Sequence, residues 1–578
     1  MRTGQAQVQV AGRFAALNRL RSFAKTDDVM TEYSLPLQDN AALRQAVDAE
    51  ERDCVAKASH KTNDSFGVNF NNSIPKAVPF KFGQLVPLNL NMHQAGHGEW
   101  LEVDDARIWR FKVKSAGALS LSLYFSKFEL APNSELYIRG RDQVFGAFTA
   151  DVNNKDDGVF GVAPVAGEYI ILEYIEPIGN DRVSQIEVGH VVHGFRETPF
   201  SSVEAQALSG ACNIGVACVD SVRSADQMHS VALLINGNGD SFCSGAMINN
   251  SARQGRQLFL TADHCINNNS VSNFVVGFNY QYQRCNDPLE PAPTPVTAHG
   301  MRLLTKSKES DFALLEVIEK IPDRYNVFLA GYDATPGARK VGSFYGIHHP
   351  RCDVKKVSVF SGNLDLIRVV DAGNKPNYWK VTSWAKGTTE PGSSGSPLFD
   401  ANHSIIGHLL GGEASCSKTN SADYYGALSK DWSGPNSIAA FLDPTNKNVL
   451  KVDGGYLNVL RAASQYEGEI PSNNEGHKDT ASSDSDSGSD SSSDTDDSDS
   501  DTSDSSSEDY SDSDSDSDSE DDVPSHGAGR GVSSIPPASY LQSSALLSSA
   551  RSSHTVTVTA TMTHVVTNFL TETVTVAR

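Results

Sequence analysis

Ser394 is flanked by glycines in the stretch TEPGSSGSPLFD, which covers residues 389–400. A nucleophilic serine requires a base within hydrogen-bond reach and donors for the oxyanion that forms. Clusters of Gly, Ser and Pro also mark plain polar loops, so this stretch alone admits both interpretations. The G-x-S-x-G turn of α/β-hydrolases does not fit Ser394, because Gly392 precedes it by two residues but Gly395 follows it immediately.

The pattern G-x-S-G-x-P around Ser394 resembles instead the nucleophile turn of trypsin-like proteases. The resemblance implies that the Ser394 hydroxyl attacks and that the backbone N–H groups of Gly392 and Ser394 form the oxyanion hole. The base is then expected upstream, because these proteases carry their catalytic residues in the order His, Asp, Ser. His264 in LFLTADHCI lies in that position.

The third member of such a triad is a buried carboxylate that orients the imidazole. Asp311 in ESDFALLEV lies between His264 and Ser394 and precedes an apolar strand. Glu309 and Glu316 fit less well, because the first is expected to be exposed and the second to lie on the alternate face of the strand. We therefore predict His264 as general base, Asp311 as the orienting carboxylate and Ser394 as nucleophile.

The resemblance extends to one family, because residues from about 209 to 445 are similar to the lysyl endopeptidases, which are secreted bacterial proteases. The motifs that carry it are, in order, SGACNIGVAC, FLTADHC, SDFALLEV, GIHHP, TEPGSSGSPLF, GGEASC and FLDP. Selectivity in this family rests on an acidic residue of the S1 pocket, and Asp423 in NSADYYGA is at the matching position. A buried aspartate there favours a basic substrate side chain, because only a cation compensates its desolvation. The alternative for Asp423 is an exposed loop acid beside a disulfide.

Four positions depart from the related enzymes. Leu410 precedes a glycine pair where the family carries a histidine, so the prediction is a basic P1 residue, Lys first and Arg second. Thr388 stands where trypsin carries its pocket acid. Ser393 replaces the aspartate that captures the new N-terminus of pancreatic enzymes, so the pro-domain is expected to act as a folding aid or steric inhibitor. Asp263 precedes the base, and little effect on the imidazole is expected because adjacent side chains on a strand point apart.

The chain has eight cysteines and no C-x2-C pair, which disfavours a zinc site. The resemblance to these proteases implies three disulfides: Cys243–Cys265, Cys212–Cys416 and Cys218–Cys285. Cys54 and Cys352 remain, and the sequence leaves open whether they pair with each other or stay free.

The elements that position these residues are predicted to be mostly strands. Short alternating segments from about Pro79 indicate a β-sandwich over residues 79–195, which resembles the family's amino-terminal pro-domain. Residues 1–78 are weakly patterned, and residues 196–208 have the composition of an exposed, cleavable linker. The mature chain is expected to start near Ala207–Ala211. Residues 209–452 predict an all-β, chymotrypsin-like domain of two six-stranded antiparallel barrels.

The acidity of the chain belongs to one tract. The formal net charge is −23, and 19 Asp and Glu with no Lys or Arg fall between residues 479 and 522. The remainder is near neutral and has no basic excess that would favour nucleic acid. We predict a linker at 453–475, a disordered Ser-Asp tract at 476–522 and a Ser/Thr-rich tail at 523–578. The tract is interpreted as a solvated spacer, with weak multivalent Ca²⁺ binding or serine phosphorylation as alternatives.

An extracellular location is predicted, although MRTGQAQVQVAGRFAALNRLRSFAK has no apolar region of the length that a secretory signal needs. This stretch mildly resembles a mitochondrial transit peptide; the other interpretation is that the natural chain starts elsewhere. No segment is apolar over the length of a membrane span. N-x-[ST] sequons favour a secreted glycoprotein. They begin at Asn63, Asn71, Asn249, Asn268 and Asn402.

The sequence therefore predicts the precursor of a secreted, monomeric serine endopeptidase that cuts protein or peptide substrates after basic residues and requires no cofactor or metal. The alternative is a catalytically silent homologue, a binding or adhesion protein displayed on the acidic tail. The presence of all three of His264, Asp311 and Ser394 disfavours this alternative, because a silent homologue has no need to keep them together.

Overall fold

The computed structural model describes residues 30–59, 79–103, 105–200, 208–219, 222, 226–266, 270–285, 293–337, 339–368 and 377–468. The predictions for residues 1–29, for the Ser-Asp tract and for the tail lie outside these ranges. The described residues belong to one compact unit of the chain. Strands dominate it, so the predicted all-β class is confirmed. None of the described helices is long and apolar enough to cross a membrane.

The first part of the chain folds into a β-sandwich, because its strands alternate apolar and polar residues and each sheet buries one face. Trp109 and Leu172 from one sheet and Leu123 from the other lie in its core. The strands are β1 (Glu32–Ser34), β2 (Phe80–Lys81), β3 (Gly83–Asn91), β4 (Glu99–Val103), β5 (Ala106–Lys114), β6 (Ser120–Glu129), β7 (Glu135–Arg139), β8 (Val144–Thr149), β9 (Phe160–Gly161), β10 (Val165–Ala166), β11 (Tyr169–Pro177) and β12 (Gln185–Gly194). One sheet has the order β1-β5-β11-β7-β8 with β4 beside β5, and the other has β10-β6-β12-β3 with β9 beside β6. Strand β2 belongs to neither.

The second part of the chain begins with a sheet that has the order β18-β17-β14-β15-β16-β20-β19. Its three central strands are buried along their whole length, and two of them, VALLI and LFLTA, are almost entirely apolar, as expected of strands that are buried on both faces. An eighth strand, β2 from the first part, pairs with β15. The new strands are β13 (Ile214–Gly215), β14 (Val231–Ile235), β15 (Ser241–Ile248), β16 (Leu258–Ala262), β17 (Val275–Phe278), β18 (Val296–His299), β19 (Met301–Ser307) and β20 (Phe312–Val317).

The following strands form a closed barrel of six, β26-β23-β24-β25-β28-β27, because β26 also pairs with β27. The second predicted six-stranded barrel is therefore present. The first sheet differs from the prediction, since it has seven strands of its own. The remaining strands are β21 (Phe328–Leu329), β22 (Tyr332–Asp333), β23 (Arg339–His348), β24 (Lys356–Ile367), β25 (Tyr378–Val381), β26 (Pro397–Phe399), β27 (Ile405–Gly412), β28 (Asp423–Ala427), β29 (Lys451–Val452) and β30 (Gly455–Tyr456).

Most of the described helices are single turns. The two longer ones are α1 and α6. The helices are α1 (Asn40–Ser59), α2 (Ala150–Asn153), α3 (Asp263–Ile266), α4 (Leu428–Asp431), α5 (Ala439–Leu442) and α6 (Leu457–Gly468). Five 3₁₀ turns are also described: Val216–Cys218, Asp226–His229, Val271–Asn273, Asp323–Tyr325 and Pro350–Cys352.

Residues 30–59 are more regular than the sequence indicated. β1 pairs in parallel with β5, and α1 is capped by Asp39, whose Oδ1 accepts the N–H groups of Ala41 and Ala42 at 3.0 Å each. The weak apolar periodicity of α1 explains why the sequence does not predict it, since few of its described side chains are buried.

Both predicted linkers also differ from the structure. Thr198 and Phe200, in the segment expected to be exposed, are at most 1% exposed. Residues 455–468, expected to be a linker, form β30 and α6, and Leu457 and Leu460 bury their side chains in the apolar core of the first sheet. The folded unit therefore extends beyond residue 452.

Candidate active site

Strand β16 and helix α3 position His264. The helix follows the strand directly, and a disulfide between Cys243 and Cys265 ties it to β15. A cross-link over 22 residues restricts this loop in the unfolded chain as well as in the folded one. The His264 side chain is 15% exposed, so it is held within the protein but is not sealed from solvent.

Asp311 fixes the orientation and the tautomer of His264. Its Oδ1 accepts the backbone N–H of His264 at 3.0 Å, and its Oδ2 lies 2.7 Å from Nδ1 of the ring. An ionised carboxylate only accepts hydrogen bonds, so Nδ1 carries the hydrogen and Nε2 keeps its lone pair. Among the described residues, Nε2 is buried without a hydrogen-bond partner. It is therefore the atom available to accept a proton.

The loop that carries Ser394 turns sharply at two glycines. Gly392 and Gly395 have φ values of 92° and 79°, which side chains rarely adopt. A Cβ on Gly395 would also lie 2.2 Å from Oγ1 of Thr261 on β16. The N–H of Gly395 donates to the carbonyl of Leu409 on β27 at 2.8 Å, and Ser394 is fully buried. The loop is thus packed between strands of the two sheets.

Ser244 on β15 holds this loop in a second way. Its N–H donates to the carbonyl of Ser394 at 2.9 Å, and its hydroxyl donates to the carbonyl of Gly392 at 2.8 Å. Strand β15, with the sequence SFCSGAMI, therefore meets the two motifs LTADHC and PGSSGSP at one place. The arrangement brings the predicted nucleophile loop against the strand that leads into His264.

Ser393 belongs to a buried polar network. Its hydroxyl lies 2.8 Å from Nδ1 of His348 and accepts the N–H of Glu390 at 3.1 Å. The carboxylate of Glu390 in turn accepts the N–H of Gly210 at 2.9 Å and an N–H of Asn213 at 2.6 Å. The position that holds an aspartate in pancreatic enzymes thus has a structural role in this protein. Glu390 instead holds the segment at and just after the expected start of the mature chain.

Asp423, the predicted pocket acid, is fully buried at the start of β28. Its Oδ2 accepts the indole N–H of Trp384 and the hydroxyl of Thr389, both at 2.7 Å. The alternative of an exposed loop acid is therefore wrong. Burial, followed by the charge of Asp423, raises the pKa of the neighbouring Tyr425.

Asp263 differs from the expectation in its local structure. It starts helix α3 rather than lying on a strand, and its Oδ1 forms an ion pair with Nζ of Lys306 at 2.9 Å. Its carboxylate is thus engaged by Lys306. Donor atoms of Cys243, His264 and Cys265 lie close enough for a metal. The two sulfurs are bonded to each other, so this group does not fit a metal site.

The structure contains the three disulfides Cys243–Cys265, Cys212–Cys416 and Cys218–Cys285. Cys352 is a buried free thiol near the carbonyl of Glu197. Burial raises its pKa, so it stays protonated and unreactive. The side chain of Cys54 lies outside the described residues.

The structure describes two of the five sequon asparagines. Asn249 is 1% exposed and donates from Nδ2 to the carbonyl of Asp453 at 2.9 Å. It is therefore not a glycan acceptor in the folded protein. Asn402 is exposed. Asn63, Asn71 and Asn268 lie outside the described residues.

Several residues of the site were not found from the sequence. Trp384 lies in a segment that carries no motif, whereas Thr389 is the first residue of TEPGSSGSPLF and Ser244 follows Cys243. Their contacts with Asp423 and with the nucleophile loop join distant parts of the chain. The two hydrogen bonds of Ser244 to the loop of Ser394 depend on the tertiary structure and leave no signal in the sequence.

Comparison with known proteins finds a family model and a relative that match part of this chain. Residues 207–426 match the family model described as lysyl endopeptidase, C-terminal domain. A curated relative, lysyl endopeptidase from Pseudomonas aeruginosa, is 28% identical over 374 residues. These residues cover 60% of this chain and 78% of the relative.

Solved structures with low overall similarity were also found. An inactive mutant form of Rv3671c from M. tuberculosis H37Rv is 14% identical, covers 41% of this chain and 97% of that one, and has a TM-score of 0.26. The HtrA-type protease AlgW with a tripeptide is 16% identical, covers 36% and 58% of the two chains, and has a TM-score of 0.25.

Proposed function

Because this chain belongs to the lysyl endopeptidase family and is a serine endopeptidase, we propose that it cleaves peptide bonds after basic residues, Lys first and Arg second, through His264, Asp311 and Ser394. The observation that carries the proposal is the pair formed by Asp311 Oδ2 and His264 Nδ1 at 2.7 Å, beside the loop of Ser394. The proposal includes export from the cell, and three disulfides favour an oxidising compartment.

The reaction begins when Ser394 Oγ attacks the carbonyl carbon of the scissile bond and its proton passes to Nε2 of His264. Asp311 stabilises the imidazolium that forms. The N–H groups of Gly392 and Ser394 stabilise the oxyanion of the tetrahedral intermediate. The imidazolium then donates its proton to the leaving amine, and an acyl-enzyme remains on Ser394. Water, deprotonated by His264, attacks the ester, and the released Ser394 regains its proton.

Asp423 selects the substrate in this proposal. Trp384 and Thr389 hold its carboxylate in one orientation. Thr389 also lies only five residues before Ser394, so its hydrogen bond to Asp423 links the pocket acid directly to the loop of the nucleophile. A substrate Lys or Arg adds an opposite charge beside this buried carboxylate, whereas an apolar side chain adds none.

The test uses the full-length chain after limited proteolysis, together with Ser394→Ala as the variant and Ser396→Ala as the matched control in the same loop. Each protein is given peptides that end in Lys-, Arg- and Leu-anilides. We expect Ser394→Ala to lose activity by a factor of about 10⁴ or more. If no peptide releases aniline in a Ser394-dependent way, the proposed protease activity is contradicted. Equal rates on the Leu- and Lys-anilides would contradict the role of Asp423.

A further inference from the structure

We propose that residues Phe80–Phe82 of the pro-region, here called the strap, inhibit the protease by occupying the strand edge beside the catalytic residues. This proposal rests on the proposed function, because it explains how that site is kept closed in the precursor. Three sets of contacts carry it: backbone pairing with β15, the packing of Phe80 on Gly392, and the bonds that hold the strap in place.

The strap pairs with an open edge of the sheet that contains β15, here called the protease sheet. Strand β15 has β14 on one side along Ser241–Phe242, and β16 pairs with it only from residue 246 onward. The other side of Ser241–Phe242 is taken by Lys81 and Phe80 in antiparallel register. The N–H of Phe82 extends the pairing by donating to the carbonyl of Asp240 at 2.8 Å. An open strand edge is a binding surface for an extended peptide.

This edge is part of the candidate active site. The residue that follows Phe242 is Cys243, which is bonded to Cys265 next to His264. The residue after that is Ser244, which binds the carbonyls of Gly392 and Ser394. An extended substrate that crosses the site therefore passes close to the pair of residues that the strap occupies.

The side chain of Phe80 covers the nucleophile loop directly. Its Cβ lies 3.2 Å from the position that a Cβ on Gly392 would occupy, and the side chain is only 4% exposed. The guanidinium groups of Arg351 and Arg196 lie 5.4 and 4.9 Å from the centre of its ring. Phe80 thus fills space next to one of the two proposed oxyanion donors, and a substrate must displace it.

Arg196 holds the strap from the side opposite to β15. Its guanidinium donates to the carbonyl of Lys81 at 3.0 Å, and its backbone N–H donates to the carbonyl of Phe82 at 3.2 Å. The same guanidinium forms ion pairs with Asp48 and with Glu51 on α1. The pro-region helix, Arg196 and the strap are therefore one connected arrangement.

The test measures kcat/KM of the intact, unprocessed full-length chain on a Lys-anilide peptide. Phe80→Ala removes the ring from Gly392, and Arg196→Gln removes the ion pairs and the bond to Lys81. We expect each variant to raise the activity of the intact chain by about tenfold or more. The matched control is Ile178→Ala, an apolar side chain that is 52% exposed on the pro-region, which we expect to leave the activity unchanged. Thermal unfolding establishes that the variants are folded.

The possible results separate the inhibitory role of the strap from the proposed function. An intact wild-type chain as active as the processed one, or folded variants as inactive as the wild type, would overturn the strap while leaving the proposed function in place. A processed wild-type chain without serine-dependent hydrolysis would overturn the proposed function and the inhibitory role with it.

A separate observation on the sequence carries a second inference about maturation. No Lys or Arg occurs from residue 197 to residue 222, a range that contains the expected start of the mature chain. The nearest basic residue before it, Arg196, is 7% exposed and held by two carboxylates. We infer that the chain does not separate itself from its pro-region there, and that a second protease, which cuts after a non-basic residue, performs this step.

The test mixes precursors that carry Ser394→Ala with a small amount of processed, active enzyme. The precursor with the natural linker is expected to keep the bonds from 197 to 211 whole, whereas one that also carries Gln206→Lys is expected to be cut before Ala207. N-terminal sequencing of the products gives the result. Cleavage of the natural linker by the enzyme would overturn the inference, and so would a Gln206→Lys linker that stays whole. The anilide assay on the same processed enzyme tests the proposed function independently.

Discussion

Replacement of Asp311 by asparagine tests the pair that carries the proposed function. The carboxylate accepts two hydrogen bonds, from the His264 backbone at 3.0 Å and from the ring at 2.7 Å. An amide of the same shape has one acceptor and one donor. The oxygen can satisfy the backbone N–H, but the amide N–H then faces Nδ1 of the ring. The ring must therefore carry its hydrogen on Nε2, the atom that has to accept the proton of Ser394.

The expected loss follows from this change of tautomer. An Asp-to-Asn replacement in such a triad lowers kcat by about 10⁴, which corresponds to about 5.5 kcal/mol of transition-state stabilisation. The assay is kcat on a Lys-anilide peptide with the processed chain. The matched control is Glu309→Gln, the same chemical change two residues earlier on an exposed side chain, for which we expect less than about a twofold change. A fall of less than about tenfold for Asp311→Asn would refute the assignment of Asp311.

Three further predictions concern specificity, pH and stability. Asp423→Ser is expected to lower kcat/KM for a Lys-anilide by about a hundredfold or more, with little change for a Leu-anilide, and parallel losses on both peptides would contradict the pocket role. Burial lowers the pKa of His190 from 6.5, and His190 stacks on Tyr124 where the sandwich meets the protease sheet. A histidine with a lowered folded-state pKa costs stability as the pH falls from 6.5 toward that lowered value. Gel filtration of the cleaved chain is therefore expected to show more separation of the pro-region at about pH 5 than at about pH 7.5. The variant His190→Gln is expected to reduce this difference. An unchanged pH profile in this variant would contradict the role of His190 in the pH dependence. Replacing both Cys243 and Cys265 by alanine is expected to lower the free energy of unfolding by about 3 kcal/mol, measured by denaturant titration, because a 22-residue loop regains its entropy in the unfolded chain; an unchanged stability would contradict this account.

The chemistry of the candidate site is largely a local property of the sequence. The glycines around Ser394 are required by the turn that carries this proposed nucleophile, because Gly392 and Gly395 adopt φ values that few other residues tolerate. Such a requirement leaves a short motif that can be recognised without a fold. The cysteine that directly follows His264 is likewise part of a short motif that can be recognised without a fold.

The tertiary structure decided what depends on contacts between distant segments. The sequence predicts neither that Phe80 packs on Gly392 nor that Arg196 reaches both α1 and the strap, because each of these contacts joins residues more than a hundred positions apart. The folded segment at 455–468 was missed because its helix is stabilised mainly by Leu457 and Leu460 docking on the core, not by a strong pattern of its own. The sequence by itself thus determined which groups are the candidates for catalysis. Only the tertiary structure decided how the β-sandwich packs on the sheet that contains β15, because that packing depends on the shape of two surfaces and not on any one stretch of residues.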